Sequence, residues 1–382
     1  MRLIGLLGLF SVKRVARFSS SMLNMSRARV LSASDMDTLI ERVQENNLVR
    51  LTDLEAVGGK YTPFVVDERV YGYCQADFVR RLRSFPTALS VEECCITFAA
   101  EVPGTTEART EAMAGVTSAL RADGTITGWR DELLPVVEAF SSEPVFLIER
   151  AAYAHFGTKG YGVHVNGYVV DTATAADSTT GAVMPKLWVA KRAATKQTWP
   201  GMLDHIVAGG QPHGISPTAN VMKECGEEAS IPPALAANAC SAAGVSYMGV
   251  DEQGNLKRDV LFCFDLELPP SFVPRSDRCR PEKCQPLNNL AYTLRSHPIF
   301  SPTPPTSFLL SFSPSPADGE VESFQLQDLN WCLNRVLEGG PGGYKPNCIL
   351  VVLDFMLRRG FISSDSPRYL QLVGLLRQPG CA

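Results

Sequence analysis

Three glutamates within five positions, Glu224, Glu227 and Glu228, follow a loop that reads Gly209-Gly210-Gln211-Pro212-His213-Gly214-Ile215-Ser216-Pro217. Carboxylates this close repel, and each raises its neighbours' pKa unless a cation sits among them. A hard divalent ion such as Mg²⁺ or Mn²⁺ suits them, because it accepts carboxylate oxygens, keeps waters and takes further ligands from substrate phosphate. Gly209 and Gly210 serve a different need: without Cβ atoms, the backbone there can approach a metal or a phosphate and offer its own carbonyl or amide groups. The chemistry these residues suit is attack of a metal-activated water on phosphorus, with Glu224 or Glu227 as general base. Lys223, one turn before Glu227, is placed to orient that glutamate or to neutralise a phosphate oxygen. The catalytic candidates are therefore Glu224, Glu227 and Lys223. The metal-ligand candidates are Glu224, Glu227, Glu228 and Gly210, and Gly209 and Gly210 are candidates for substrate contact. The competing reading is a solvated acidic helix face, against which the glycine loop, the spacing and the flanking strands together weigh.

A helix must carry the glutamates. Ser216 is placed to cap it, Pro217 suits its first position, and Pro232 and Pro233 end it. On a helical wheel Met222, Cys225 and Ala229 are grouped with Val221 as the face to bury, which leaves Glu224, Glu227 and Glu228 as the open face. Ahead of it, Tyr161 to Val170 and Lys186 to Lys191 read as strands from their β-branched and aromatic content. Asp259 to Leu268 alternates, with Val260, Phe262, Phe264, Leu266 and Leu268 on one side. Helix-like stretches run from Met36 to Gln44, Ala76 to Ser84, Arg109 to Ala122 and Trp129 to Phe140. Two more, Leu329 to Leu337 and Asn347 to Arg359, close the chain. His205 and His213 read as structural, and His164 as a substrate contact at most. Trp129 and Trp199 can stack on a substrate ring. Arg130 with Asp131 and Glu132 reads as an ion pair between domains.

With 382 residues, 45% of them hydrophobic, the chain is long enough for two domains. A net charge of −4 with mixed signs argues against a nucleic-acid surface. Eleven scattered cysteines read as reduced core thiols, and the pair Cys279 and Cys284 as a loop, since no second pair follows at zinc-finger spacing. Residues 1–34 hold six basic residues, several serines and no acid. They read as a mitochondrial transit peptide, and without one the protein would be cytoplasmic. No later segment has the roughly 18 apolar residues of a membrane span. The expected division is residues 35–156 as an α+β domain, 157–362 as the hydrolytic domain with a Pro/Ser-rich disordered insertion at 276–318, and 363–382 as a tail.

Lys223-Glu224-Cys225-Gly226-Glu227-Glu228-Ala229-Ser230-Ile231 resembles the R-E-U-x-E-E-x-G-U half of the Nudix box, and the diglycine loop resembles its front half. The sequence departs from the box at Ile215, where a glutamate is usual, and at Ser230, where glycine is usual. Counting back places the box glycine at Gly209, or at Gly210 if the loop is one residue short. Gly128-Trp129-Arg130-Asp131-Glu132, Lys159 to Tyr168, Trp199 to Asp204 and Lys345-Pro346-Asn347-Cys348 are similar to the Nudix subfamily related to thiamine pyrophosphokinase, over about residues 35–360. That resemblance implies an α/β/α sandwich with a mixed sheet behind a small α+β domain. It also implies metal-dependent hydrolysis of a small diphosphate, thiamine diphosphate or an oxidised analogue, to the monophosphate. The alternatives are a diphosphate-binding module without turnover, and a hydrolase of nucleoside diphosphate derivatives. Kinase activity is disfavoured, because no P-loop is present.

Overall fold

The computed structural model describes residues 28–54, 59–170, 184–196, 198–275, 320–379 and 381. In chain order these form α1 (Ala33–Gln44), α2 (Leu51–Leu54), β1 (Tyr61–Val66), β2 (Arg69–Gln75), α3 (Ala76–Leu82), β3 (Leu89–Val91), β4 (Ile96–Phe98), α4 (Thr106–Ala122), β5 (Leu133–Val136) and β6 (Phe146–Glu149). There follow β7 (Lys159–Val169), β8 (Lys186–Arg192), β9 (Leu203–His205), β10 (Val207–Gly210), α5 (Pro217–Ala229), α6 (Pro233–Ala236), β11 (Cys240–Val250), β12 (Leu256–Glu267), β13 (Val321–Asp328), α7 (Leu329–Glu338), α8 (Pro346–Arg358) and α9 (Tyr369–Leu375). The architecture is α+β with a mixed sheet, and among the described residues no helix is long and apolar enough to cross a membrane. The stretch 276–318, expected as a disordered insertion, and the pair Cys279 and Cys284 lie outside the described residues.

The first sheet runs in the order β2-β1-β4-β3, antiparallel except between β1 and β4. Its core joins Phe64, Phe146 and Phe156 to Met113, Val116 and Leu120 on the buried side of α4. The expected helix from Trp129 to Phe140 is instead a loop and a short strand: β5 pairs antiparallel with β6, Leu133 opposite Glu149 and Val136 opposite Phe146. Pro135 explains the difference, since inside a helix it removes a hydrogen bond and clashes with the preceding turn.

The second sheet runs β11-β12-β7-β8-β13, with β10 added to β7 and β9 to β8. Only β7 and β12 pair in parallel. Strand β7 divides its partners along its length: Gly162 to Val165 pair with β10, and Tyr168 and Val169 with β8. The alternation of β12 suggested one buried side, but both are covered. Leu261 and Cys263 join the core that contains α8, and Phe264 and Leu266 the core that contains α5. A strand enclosed between helical layers loses the in-out contrast that marks a half-exposed one. Helix α8 is buried from Cys348 through Leu357. Although the sequence grouped it with the N-terminal residues, α1 places Met36, Leu39, Ile40 and Val43 in this second core, against α7, α8 and α9. The C-terminal residues fold back too, Arg377 bridging to Ser246 of β11.

The two sheets meet where the Tyr73 amide donates to the Phe156 carbonyl at 2.9 Å and the Arg258 guanidinium lies 5.2 Å over the Tyr73 ring. This contact ties Phe156, just before β7, to β2.

Candidate functional site

Helix α5 begins where the sequence placed it. The Ser216 hydroxyl accepts from the Ala219 amide at 3.2 Å, and Pro217 occupies the first turn. It ends at Ser230, in the left-handed region at φ 51°, with its amide bonded to the Cys225 carbonyl. The loop ahead is pinned to the first turn by two buried amides. Asn220 Nδ2 donates to the Gly210 carbonyl at 2.7 Å and to Gln211 Oε1 at 3.2 Å, and Gln211 Nε2 donates to the Ile215 carbonyl at 2.5 Å. Neither residue stood out in the sequence: Gln211 was passed over inside the glycine loop, and Asn220 looked like any polar residue of a helix.

Val221, Cys225 and Ala229 are buried as expected, but Met222 is exposed and the three glutamates do not share one face. Glu224 and Glu228, one turn apart, are half-buried beside Val221, whereas Glu227 is exposed and bound to Lys223 at 2.9 Å. At about 100° per residue Glu228 falls about 20° and Glu224 about 60° from Val221, so both border the buried face. The expectation of a single open carboxylate face is corrected to an inward pair and an outward Glu227.

Consecutive glycines receive two different groups. A Cβ on Gly209 would stand 2.6 Å from Glu224 Cδ, so only glycine allows that carboxylate its place. A Cβ on Gly210 would stand 2.9 Å from Arg150 Cζ and 3.1 Å from Glu132 Oε1. Gly209, the box glycine by count, is thus also the one packed on a box glutamate. The Gly210 carbonyl is engaged by Asn220. Glu132, read from sequence as a partner for Arg130, pairs with Arg150 at 2.7 Å.

Burial raises the Glu224 pKa, and Glu227 and Glu132 add to the rise against the lowering influence of Lys223, whose Nζ lies 3.1 Å from Glu224 Oε1. Glu228 is pushed up further, first by burial and then by Glu224, with Glu320 and Asp204 adding to it. Its Oε2 accepts the Ala208 amide at 2.9 Å, and among the described residues it has no basic partner. Beside Glu228 lies a cavity of about 20 Å³, walled by Ala190, Arg192, Asp204, His205, Ala208 and Glu320. That is room for one water or a small ion. Glu228 next to such a space, without a basic partner among the described residues and one turn from Glu224, fits a hard divalent ion by donor type and by charge. Glu320, missed in the sequence, walls this cavity, and Glu132, read there only as part of an ion pair, packs on Gly210; both come from segments far from α5.

Among the described residues the groups of potential ligands with atoms within 4.8 Å of one another are His164, Asp204, His205 and Cys348, of which Asp204 and His205 also wall that cavity, and the more exposed Glu92, Cys94 and Cys95. The three helix glutamates are not among them. The first group reads as a hydrogen-bonded core. Asp204 already pairs with Arg192 at 2.8 Å, accepts its neighbour's amide at 2.9 Å and receives Cys348 Sγ at 2.9 Å. His164 and His205 face each other through Nδ1 atoms 3.1 Å apart, and burial drives both pKa values down, that of His205 to about 4. His205 is therefore neutral at pH 7. Burial alone would raise the Asp204 pKa, but Lys345, His164 and Arg192 hold it well below the usual carboxylate range. Its contribution to stability is therefore complete above the unfolded carboxylate value and lost as the pH falls below about 4. Asp204→Asn is expected to lower stability by about 3 kcal/mol at pH 7, because it takes from the largely buried Arg192 its carboxylate partner. Urea unfolding against pH checks this, the loss shrinking toward pH 3.

Trp199 stays near the cavity, since its carbonyl and that of Thr198 receive the Arg192 guanidinium at 3.0 and 2.9 Å. Trp129 packs against the first core, with Arg121 at 4.6 Å over its ring and Asp131 accepting from its indole. Cys94, expected in a core, is exposed.

A mixed sheet between helical layers, with a carboxylate helix packed on a glycine-ended strand, defines a fold and site of the kind that hydrolyses phosphorus-containing acid anhydrides. The chain belongs to the Nudix hydrolase family. It is 37% identical over 335 residues to the Arabidopsis thaliana protein described as Nudix hydrolase 20, chloroplastic, covering 85% of this chain and 75% of the relative. To the one described as Nudix hydrolase 24, chloroplastic, it is 36% identical over 355 residues, covering 92% of this chain and 80% of the relative. A family model described as a domain of unknown function (DUF4743) matches residues 38–160. Among solved structures, a C. elegans Ap4A hydrolase binary complex aligns over 52% of this chain and 98% of its own at 8% identity and a TM-score of 0.28. A MutT/nudix family protein from Enterococcus faecalis aligns over 57% and 69% at 10% identity and a TM-score of 0.29. The two plant relatives overturn the mitochondrial reading of residues 1–34, since both are described as chloroplastic. The Arg- and Ser-rich, acid-poor composition behind that reading belongs to both kinds of organelle transit peptide.

Proposed function

We propose that this diphosphate hydrolase acts on thiamine diphosphate or an oxidised analogue of it, releasing the monophosphate, and that it depends on Mg²⁺ or Mn²⁺. The observation that carries the metal dependence is the half-buried pair Glu224 and Glu228 on the backbone of Ala208 and Gly209, with their pKa values raised and, among the described residues, no basic partner for Glu228. Glu224 and Glu228 are the residues to hold the ion. When bound, it polarises phosphorus and lowers the pKa of an attacking water. Glu224 or Glu227 takes the proton of that water, and Lys223 holds Glu227 at the rim, where it meets phosphate oxygens. The loop pinned by Asn220 and Gln211 holds Gly209 against Glu224 and Gly210 against Arg150, the groups offered to the substrate. Trp199, tethered through Arg192, is the aromatic surface for the organic part. The thiamine reading is supported by the subfamily resemblance over residues 35–360. We divide the chain functionally into residues 35–156, which shape the rim, residues 157–362, which carry the chemistry, and a C-terminal segment 363–382.

The test is phosphate-product release with Mg²⁺ from thiamine diphosphate, its oxidised analogues, ADP-ribose, NADH and coenzyme A. Selective turnover of the thiamine compounds is the expected result. Preference for ADP-ribose or NADH would replace the substrate by a nucleoside diphosphate derivative. Binding without any product would make the protein a diphosphate-binding module.

A further inference from the structure

We propose that Arg150, from the segment after β6, binds a phosphoryl oxygen of the diphosphate substrate, and that Glu132 is the positioning residue that aims it. The proposal rests on diphosphate recognition at the α5 site. Arg150 lies directly on the glycine loop: a Cβ at Gly210 would be 2.9 Å from its Cζ and 3.0 Å from its Nη1. The next glycine, Gly209, carries Glu224 in the same way, so the guanidinium and a proposed metal-holding carboxylate sit on adjacent residues of one strand end.

The other cations around these carboxylates are committed. Lys223 is held between Glu224 and Glu227, Lys196 pairs with Glu320, and Arg192 serves Asp204 and the carbonyls of Thr198 and Trp199. Arg150 differs. Among the described residues its one ion pair joins Nη1 to Glu132 Oε2 at 2.7 Å, and its side chain is 39% exposed. A guanidinium offers five N–H groups in a planar fork, so this pairing leaves donors for a second anion. A diphosphate held by one divalent ion keeps negative oxygens to neutralise, and the fork matches their geometry. Glu132 fixes the tilt of the fork and in turn packs on Gly210. The N-terminal half thereby acquires a chemical role at a site otherwise built by β10 and α5.

The full chain would be compared with Arg150→Met, which keeps the apolar stem, Arg150→Lys, which keeps the charge, and Glu132→Gln. Calorimetry with Mg²⁺ and methylenediphosphonate, a diphosphate that cannot be cleaved, reads binding independently of turnover, while KM and kcat are read on the substrate hydrolysed. Arg150→Met is expected to weaken diphosphonate binding and raise KM by about 10- to 100-fold with kcat and Tm little changed. Arg150→Lys should fall between, and Glu132→Gln should raise KM several-fold. Wild-type affinity in folded Arg150→Met would overturn the proposal, as would a loss confined to kcat and Tm, or no diphosphonate binding by the wild type. Should Arg150→Met fail to fold, wild-type binding by both Arg150→Lys and Glu132→Gln would overturn it. If no compound tested is hydrolysed while diphosphonate binding still depends on Arg150, the substrate reading fails and this one stands.

Discussion

Glu228→Gln is expected to lower kcat/KM by at least about 10²- to 10³-fold and, in the same protein, to raise the thermal stability of the metal-free form. Both effects come from the same placement. Glu228 is half-buried next to Glu224, receives one backbone amide and has no basic partner among the described residues, so its charged form is disfavoured and its pKa stands well above the usual range. A carboxyl whose folded pKa exceeds its unfolded value holds more protons folded than unfolded over the interval between the two. Its stabilising contribution is full below the unfolded value and is lost as the pH rises through the folded one. Glutamine cannot ionise and escapes that loss. In EDTA, the Tm of Glu228→Gln should therefore exceed that of the wild type by a margin that grows from pH 5 to pH 8. Excess Mg²⁺ should raise the Tm of the wild type and leave the variant unmoved. A variant that is less stable at pH 8 without metal would show that Glu228 has a structural role instead.

Gly209→Ala is the second large effect. The added methyl group would lie 2.6 Å from Glu224 Cδ and 2.9 Å from its Cγ, so the side chain must move. Because Glu224 is half-buried and flexible, it can swing outward at little cost to the fold. A displacement of about 1 Å at a reacting centre costs on the order of 10²-fold in rate, and that is the loss expected in kcat/KM, with a Tm close to wild type. Steady-state kinetics beside thermal unfolding decides it. Full activity would mean that the position of Glu224 does not matter to the reaction.

What was legible in the sequence was local. Ser216-Pro217 and the prolines after Ile231 framed α5 within a residue or two, and the apolar density of Asn347 to Arg359 announced α8. Glu228 lies within about 20° of Val221 on the wheel and was put on the open face because it is charged, and the structure follows the angle. Strand β12 lost its alternation through burial on both faces, and Pro135 turned an apparent helix into β5. The largest gap concerns residues that act only through distant partners. Arg150 meets Gly210, Asp204 meets Cys348, and Glu320 faces Glu228, and no periodicity within one segment encodes such meetings. Asn220 and Gln211 escaped for another reason, since a buried amide that pins a loop looks in sequence like any polar residue.

The measurement that bears most directly on the central claim is turnover of the full chain after EDTA treatment and again after addition of Mg²⁺ or Mn²⁺, in wild type and in Glu224→Gln, Glu228→Gln. Activity that disappears on chelation, returns with either ion in the wild type and stays absent in the double variant is the predicted result. Undiminished turnover in EDTA, or in the double variant with metal, would contradict a metal-dependent centre built on these two glutamates.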